Sequence, residues 1–67
     1  MSEVYIVVET CGEAVDATAY ATRKKAIEYI EAISQQKKEE WDFDDGTIFE
    51  GDNNYETVAQ VIESKVY

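Results

Sequence analysis

Residues 4–8 read Val-Tyr-Ile-Val-Val, an unbroken run of β-branched and aromatic side chains that stops shortly before Cys11 and Gly12. Such side chains are enriched in β-strands, and glycine supplies the turn that ends one. Apolar side chains occupy both of the alternating faces of this run. The run therefore predicts a central strand, or a strand with both faces covered.

The element best suited to cover this strand is an amphipathic helix. Thr22 is a suitable N-cap, and the apolar residues after it recur at helical spacing. The apolar side of this helix consists of Ala26, Tyr29, Ile30 and Ile33. We predict a helix from Arg23 to about Lys38, which would be about 24 Å long and would span the sheet it packs on.

The rest of the chain predicts further short strands, at residues 14–21 and 47–50, with turns at residues 12–13 and 51–54. The stretch from Tyr55 fits both helical and strand spacing. We favour a strand, because this stretch is rich in β-branched residues and residues 47–50 need a pairing partner. The fold class is thus a single α+β domain over residues 1–67: a small antiparallel sheet with one amphipathic helix, in the order β-β-α-β-β.

Length and composition bound the possible functions. The 67 residues carry a net charge of −9, one Cys and no His. A chain of this size buries only about 60% of its unfolded surface, and its sheet edges are open, so a homodimer is expected. The charge repels nucleic acid and anionic membranes and favours basic protein partners. With no export or membrane-spanning signal, we expect a cytoplasmic protein.

The acidic residues are concentrated in the second half of the chain. Residues 1–38 hold six acids and five bases, whereas residues 39–67 hold nine acids and one base, a net charge of −8. Like charges this close repel one another. Acids that served only solubility could be spread over the surface, which would avoid this repulsion. The candidate partner-binding carboxylates are Glu39, Glu40, Asp42, Asp44, Asp45, Glu50, Asp52 and Glu56, with Glu9, Glu13 and Glu63 as outliers.

Two questions about this acidic half have alternative answers. The carboxylates could be solvated loop and edge residues that discourage sheet edges from pairing, or they could imitate phosphates. Alternate residues of an extended chain, such as Asp42 and Asp44, would lie about 6.6 Å apart, on the scale of successive phosphates. Trp41 and Phe43, interleaved with these acids, could be core residues or an aromatic contact patch within a binding surface.

Catalysis and dedicated metal binding are not expected. Without His, no Ser-His or Cys-His pair can form, so we predict that the protein is not an enzyme and has no cofactor. The segment around Asp44 and Gly46 superficially resembles a calcium-binding loop. Its register fails, because placing Gly46 at the sixth loop position puts Trp41 and Phe43 where oxygen ligands are required.

The chain as a whole resembles a class of small bacteriophage proteins. The resemblance lies in its length, the start Met-Ser-Glu-Val-Tyr-Ile-Val-Val, the helix entry Ala-Tyr-Ala-Thr-Arg-Lys-Lys-Ala-Ile-Glu-Tyr-Ile and the acidic second half. It is similar to early host-takeover proteins of the acidic DNA-mimic type, including the Bacillus phage inhibitor of the nucleoid protein HU. The resemblance implies a β-rich dimer that occupies a host protein's DNA-binding surface in the host cytoplasm. The alternative is an inhibitor of another host protein, such as RNA polymerase, a nuclease or a protease adaptor, bound through the aromatic residues.

Overall fold

The protein is described by a computed structural model that covers residues 2–51 and 55–66. It has the predicted α+β architecture, a four-stranded antiparallel sheet with one α-helix. The elements are β1 (Ser2–Cys11), β2 (Ala14–Tyr20), α1 (Arg23–Ser34), a 3-10 helix (Lys38–Glu40), β3 (Gly46–Glu50) and β4 (Glu56–Val66). The spatial order is β2-β1-β4-β3. The arrangement therefore differs from a plain β-β-α-β-β succession in the added 3-10 helix and in a sheet order that the sequence did not predict.

Strand β1 is central, as its sequence predicts. It pairs with β2 through a tight turn in which Gly12 takes a φ of 60°, a conformation that glycine adopts without strain. On its other side it pairs with β4 over ten positions, from Ser2 opposite Val66 to Cys11 opposite Thr57. This long pairing explains why the stretch after Tyr55 is a strand and not a helix, which confirms the preferred interpretation.

Helix α1 begins where predicted and ends earlier. The Thr22 hydroxyl accepts a hydrogen bond from the Lys25 amide at 3.2 Å and caps the first turn. The helix stops at Ser34 because Gln35 adopts a left-handed conformation with a φ of 58°, and its amide donates to the Glu31 carbonyl at 2.9 Å. The predicted extension to Lys38 is therefore wrong.

The core lies between α1 and one face of the sheet. Odd-numbered residues of β1 and β4 point toward the helix, and even-numbered residues point away, because strand side chains alternate. The buried apolar residues are Val7, Ala26, Ile30, Trp41, Ala59 and Val61. Tyr5, Tyr20, Ile27, Tyr29, Ile33 and Phe49 pack around them. The apolar core of the described residues thus lies on one face of the sheet, between the strands and α1.

Candidate acidic binding surface

Seven of the eight candidate carboxylates lie in the described residues, and all seven side chains are exposed. Asp52 lies outside those residues, as does most of the predicted turn at 51–54. The seven flank the edge strand β3: Glu39, Glu40, Asp42, Asp44 and Asp45 precede it, and Glu50 and Glu56 stand at its far end. We call this set the acidic edge. Since β3 has five residues, its two groups are separated by about 14 Å along the strand.

Trp41 anchors the first group to the core. Its side chain is 9% exposed, and its indole nitrogen Nε1 donates to the Gln36 carbonyl at 3.1 Å. Just before it, the Lys38 amide donates to the Glu31 carboxylate at 3.0 Å and fixes the start of the 3-10 helix. Trp41 therefore holds the acidic loop in place and has little surface to offer a partner. Phe43, in contrast, is 42% exposed and lies among the carboxylates.

Asp42 combines a surface charge with a structural role. Its Oδ2 accepts hydrogen bonds from the Ile48 amide at 3.0 Å and from the Thr47 hydroxyl at 3.1 Å. The Thr47 hydroxyl is fully buried and also lies 2.7 Å from Gln36 Oε1, so its single proton is offered to one of two acceptors at a time. These bonds tie the acidic loop to β3. The sequence did not single out Gln36 or Thr47, whose side chains carry no local signal of this network.

Asp44 and Asp45 occupy a turn instead of an extended chain. The Phe43 amide donates to the Gly46 carbonyl at 3.0 Å, and Phe43 and Gly46 form an isolated β-bridge. The Val61 amide donates to the Asp45 carbonyl at 2.8 Å, which joins the turn to β4. This turn interrupts the extended segment in which Asp42 and Asp44 could have had a phosphate-like spacing. The turn instead projects two adjacent carboxylates at the end of the sheet.

At the other end of the acidic edge, Glu50 of β3 stands directly opposite Glu56 of β4. Like charges at directly opposed positions of an antiparallel pair repel each other and weaken the pairing. A cation placed between them would remove this repulsion. This pair is therefore a second point on the edge where a basic side chain would bind favourably.

The outlying acids do not extend this surface uniformly. Glu9 points to the helix side of the sheet, where the Tyr29 hydroxyl donates to its Oε1 at 2.7 Å. This hydrogen bond, with desolvation as the smaller cause, raises the pKa of Tyr29 to about 12. Glu13 lies in the β1–β2 turn, at the edge of the sheet opposite to β3, and Glu63 is exposed on β4. The Glu9 side chain thus packs against α1.

Two negative findings and the comparisons complete the description of the site. Within residues 2–51 and 55–66, no three or more His, Cys, Asp or Glu side chains are grouped in a way that could hold a metal ion. Over the same residues, no helix combines the length and apolarity needed to cross a membrane. No protein family model, curated protein or solved structure matches this chain.

Proposed function

We propose that the protein is an acidic DNA mimic that binds a basic host DNA-binding protein, such as HU, and competitively blocks its DNA binding. The observation that supports this proposal is the acidic edge: seven exposed carboxylates flank one edge strand, in a half of the chain with a net charge of −8. Lys and Arg side chains that contact DNA phosphates would pair with these carboxylates instead.

The phosphate analogy rests on charge and exposure and not on a regular extended spacing. Carboxylates at both ends of β3 create a negative potential along this edge, which attracts a basic surface and speeds association. Individual exposed ion pairs contribute about 0.2–1 kcal/mol each, so affinity requires many pairs acting together. A protein that binds DNA offers such a set of cations on one surface.

The first experiment is competition. A labelled DNA duplex is bound to purified HU, and its fluorescence anisotropy is followed as this protein is added. We expect displacement of the DNA at low salt. Direct binding of the protein to HU should weaken at least about 10-fold between 0.05 and 0.5 M salt, because salt screens exposed charge pairs. Failure to displace DNA at any concentration would leave the carboxylates as solvated edge residues and would reject the proposal.

A matched pair of double variants tests the location of the site. Asp44→Asn with Asp45→Asn removes two charges from the acidic edge, whereas Glu13→Gln with Asp16→Asn removes two exposed charges at the opposite edge of the sheet. We expect about a 10-fold weaker affinity for the first and less than about a 2-fold change for the second, because distant charges are screened. Equal weakening by the two pairs would exclude the acidic edge as the contact surface.

The alternative of an aromatic interaction module now depends on Phe43, since Trp41 belongs to the core. Phe43→Ala removes an exposed ring and leaves the charge unchanged. Under the DNA-mimic proposal it has a smaller effect than the Asp44 and Asp45 changes. A complete loss of binding in Phe43→Ala, together with silent carboxylate changes, would favour an inhibitor of another host protein bound through an aromatic anchor.

A further inference from the structure

The sheet has a second face, which points away from α1 and which we call the open face. It consists of the alternate residues that the core does not use. Its side chains are Val15, Ala17 and Ala19 of β2, Val4, Ile6, Val8 and Thr10 of β1, Val58, Gln60, Ile62 and Ser64 of β4, and Ile48 of β3, with Glu50 and Glu56 at one corner. Val15 is 63% exposed and Ile62 is 48% exposed. The centre of this face is uncharged and mostly apolar.

From this face we infer that the protein forms a homodimer in which two open faces pack against each other as a two-layered sandwich. The first argument is the character of β1. Its sequence has the continuous apolar pattern of a strand buried on both faces, yet within the described residues α1 covers only one of them. The side chains of Val4, Ile6 and Val8 on the other face are left half-buried.

Charge identifies the occupant as a second copy. The chain carries a net charge of −9, so most of its surface repels an identical molecule. The centre of the open face carries no ionisable side chain. Two copies can meet there without bringing carboxylates together. A basic partner, in contrast, finds no carboxylate at the centre of this face and would be drawn to the acidic edge.

The size of the face sets the expected strength of the dimer. Four strands about 4.8 Å apart, over about seven residues each, give a flat footprint of about 460 Å² per copy. Two copies would bury about 900 Å², and corrugation of the side chains brings this close to the ~1,200 Å² at which stable interfaces begin. We therefore expect a dissociation constant in the micromolar range, with the two sheets about 10 Å apart.

Salt dependence separates this association from partner binding. Self-association brings together two molecules of net charge −9, so raising the salt concentration screens their repulsion and strengthens the dimer. Binding of a basic partner has the opposite salt dependence. Failure of the dimer and failure of the proposed function are therefore distinguishable, and neither depends on the other.

The test is sedimentation equilibrium of the purified protein from about 5 to 500 µM, at 0.05 and 0.5 M salt. We expect a mass that rises from 7.6 kDa toward twice that value, at lower concentration in high salt. Ile62→Lys should raise the dissociation constant at least about 100-fold, because twofold symmetry buries two unpaired charges. This change also lowers the net negative charge, so general repulsion cannot explain the loss.

The matched control is Thr18→Lys, which makes the same charge change at an exposed position on the other face of the sheet and should leave the dimer intact. Val15→Lys serves as a second disrupting variant, and circular dichroism checks that each variant is folded. A protein that stays at 7.6 kDa up to 500 µM in high salt would overturn the inference. So would a dimer that neither Ile62→Lys nor Val15→Lys weakens.

Discussion

Replacement of Asp42 by alanine and, separately, by asparagine measures how much the acidic loop depends on its side-chain hydrogen bonds. Both substitutions remove the charge and relieve the same repulsion from the neighbouring acids, so their difference isolates the lost acceptor. Alanine leaves the Ile48 amide and the Thr47 hydroxyl without Oδ2, whereas asparagine keeps an acceptor oxygen. Water can reach the exposed Ile48 bond, and Thr47 retains Gln36 as a partner.

These alternative hydrogen-bond partners limit the loss of stability that Asp42→Ala causes. A buried polar group left with no hydrogen-bond partner costs roughly 1–3 kcal/mol of stability. We expect Asp42→Ala to be about 1 kcal/mol less stable than Asp42→Asn, at the low end of this range. At a urea slope of about 1 kcal/mol/M, this difference moves the unfolding midpoint by about 1 M. Trp41 is the only tryptophan and is buried, so its fluorescence reports the transition.

The exposed Asp16 of β2 provides the control, because its alanine and asparagine variants should differ by less than about 0.5 kcal/mol. Equal midpoints for Asp42→Ala and Asp42→Asn would refute the argument that this carboxylate fastens the loop to β3. A large Asp42 difference would also mean that binding tests of the acidic edge should use Asp44 and Asp45, where removing the charge does not loosen the loop.

Two further predictions concern other contacts. The pKa of Tyr29 rises from 10.0 to about 12, so the fold favours the neutral phenol; that stabilisation is complete below pH 10 and is lost as the pH rises through 12. Tyr29→Phe should remove the step at highest pH in the phenolate absorbance titration, together with the loss of stability that accompanies it. If all tyrosines of the unmodified protein titrate near pH 10, the Glu9 contact is contradicted. Gly46→Ala should destabilise the fold by about 2 kcal/mol, because the added Cβ would overlap the Ala59 carbonyl oxygen and press on Gln60. An unchanged urea midpoint would show that β3 and β4 lie farther apart at this point.

Local signals in the sequence predicted an element well where a short stretch or a single residue decides its structure. The run at residues 4–8 predicts a central strand, and Thr22 predicts the helix start because a hydroxyl at that position caps the first turn. The end of the helix also depends on one residue, but the sequence does not reveal it. Gln35 adopts a left-handed conformation that is typical of glycine or asparagine, so the sequence gives no stop signal at this residue.

Tertiary features of the site could not be predicted from local pattern. Trp41 and Phe43 occupy equivalent positions in an alternating aromatic and acidic segment, yet one is 9% and the other 42% exposed. Trp41 ends the 3-10 helix and donates to the Gln36 carbonyl, whereas Phe43 begins the turn at Asp44 and Asp45. The concentration of acids along β3 was predictable from charge, but its placement on a sheet edge depends on the pairing of β3 with β4, a contact between distant residues.

The open face and the acidic edge together constrain how two copies would meet. A twofold axis perpendicular to the strands would stack β3 on β3 and bring the acidic edges of both copies together. An axis parallel to the strands instead places each β3 over the partner's β2, whose open-face residues Val15, Ala17 and Ala19 are uncharged. Repulsion between like charges favours the second arrangement. The two acidic edges then lie on opposite sides of the dimer, so each is free to bind its own basic partner.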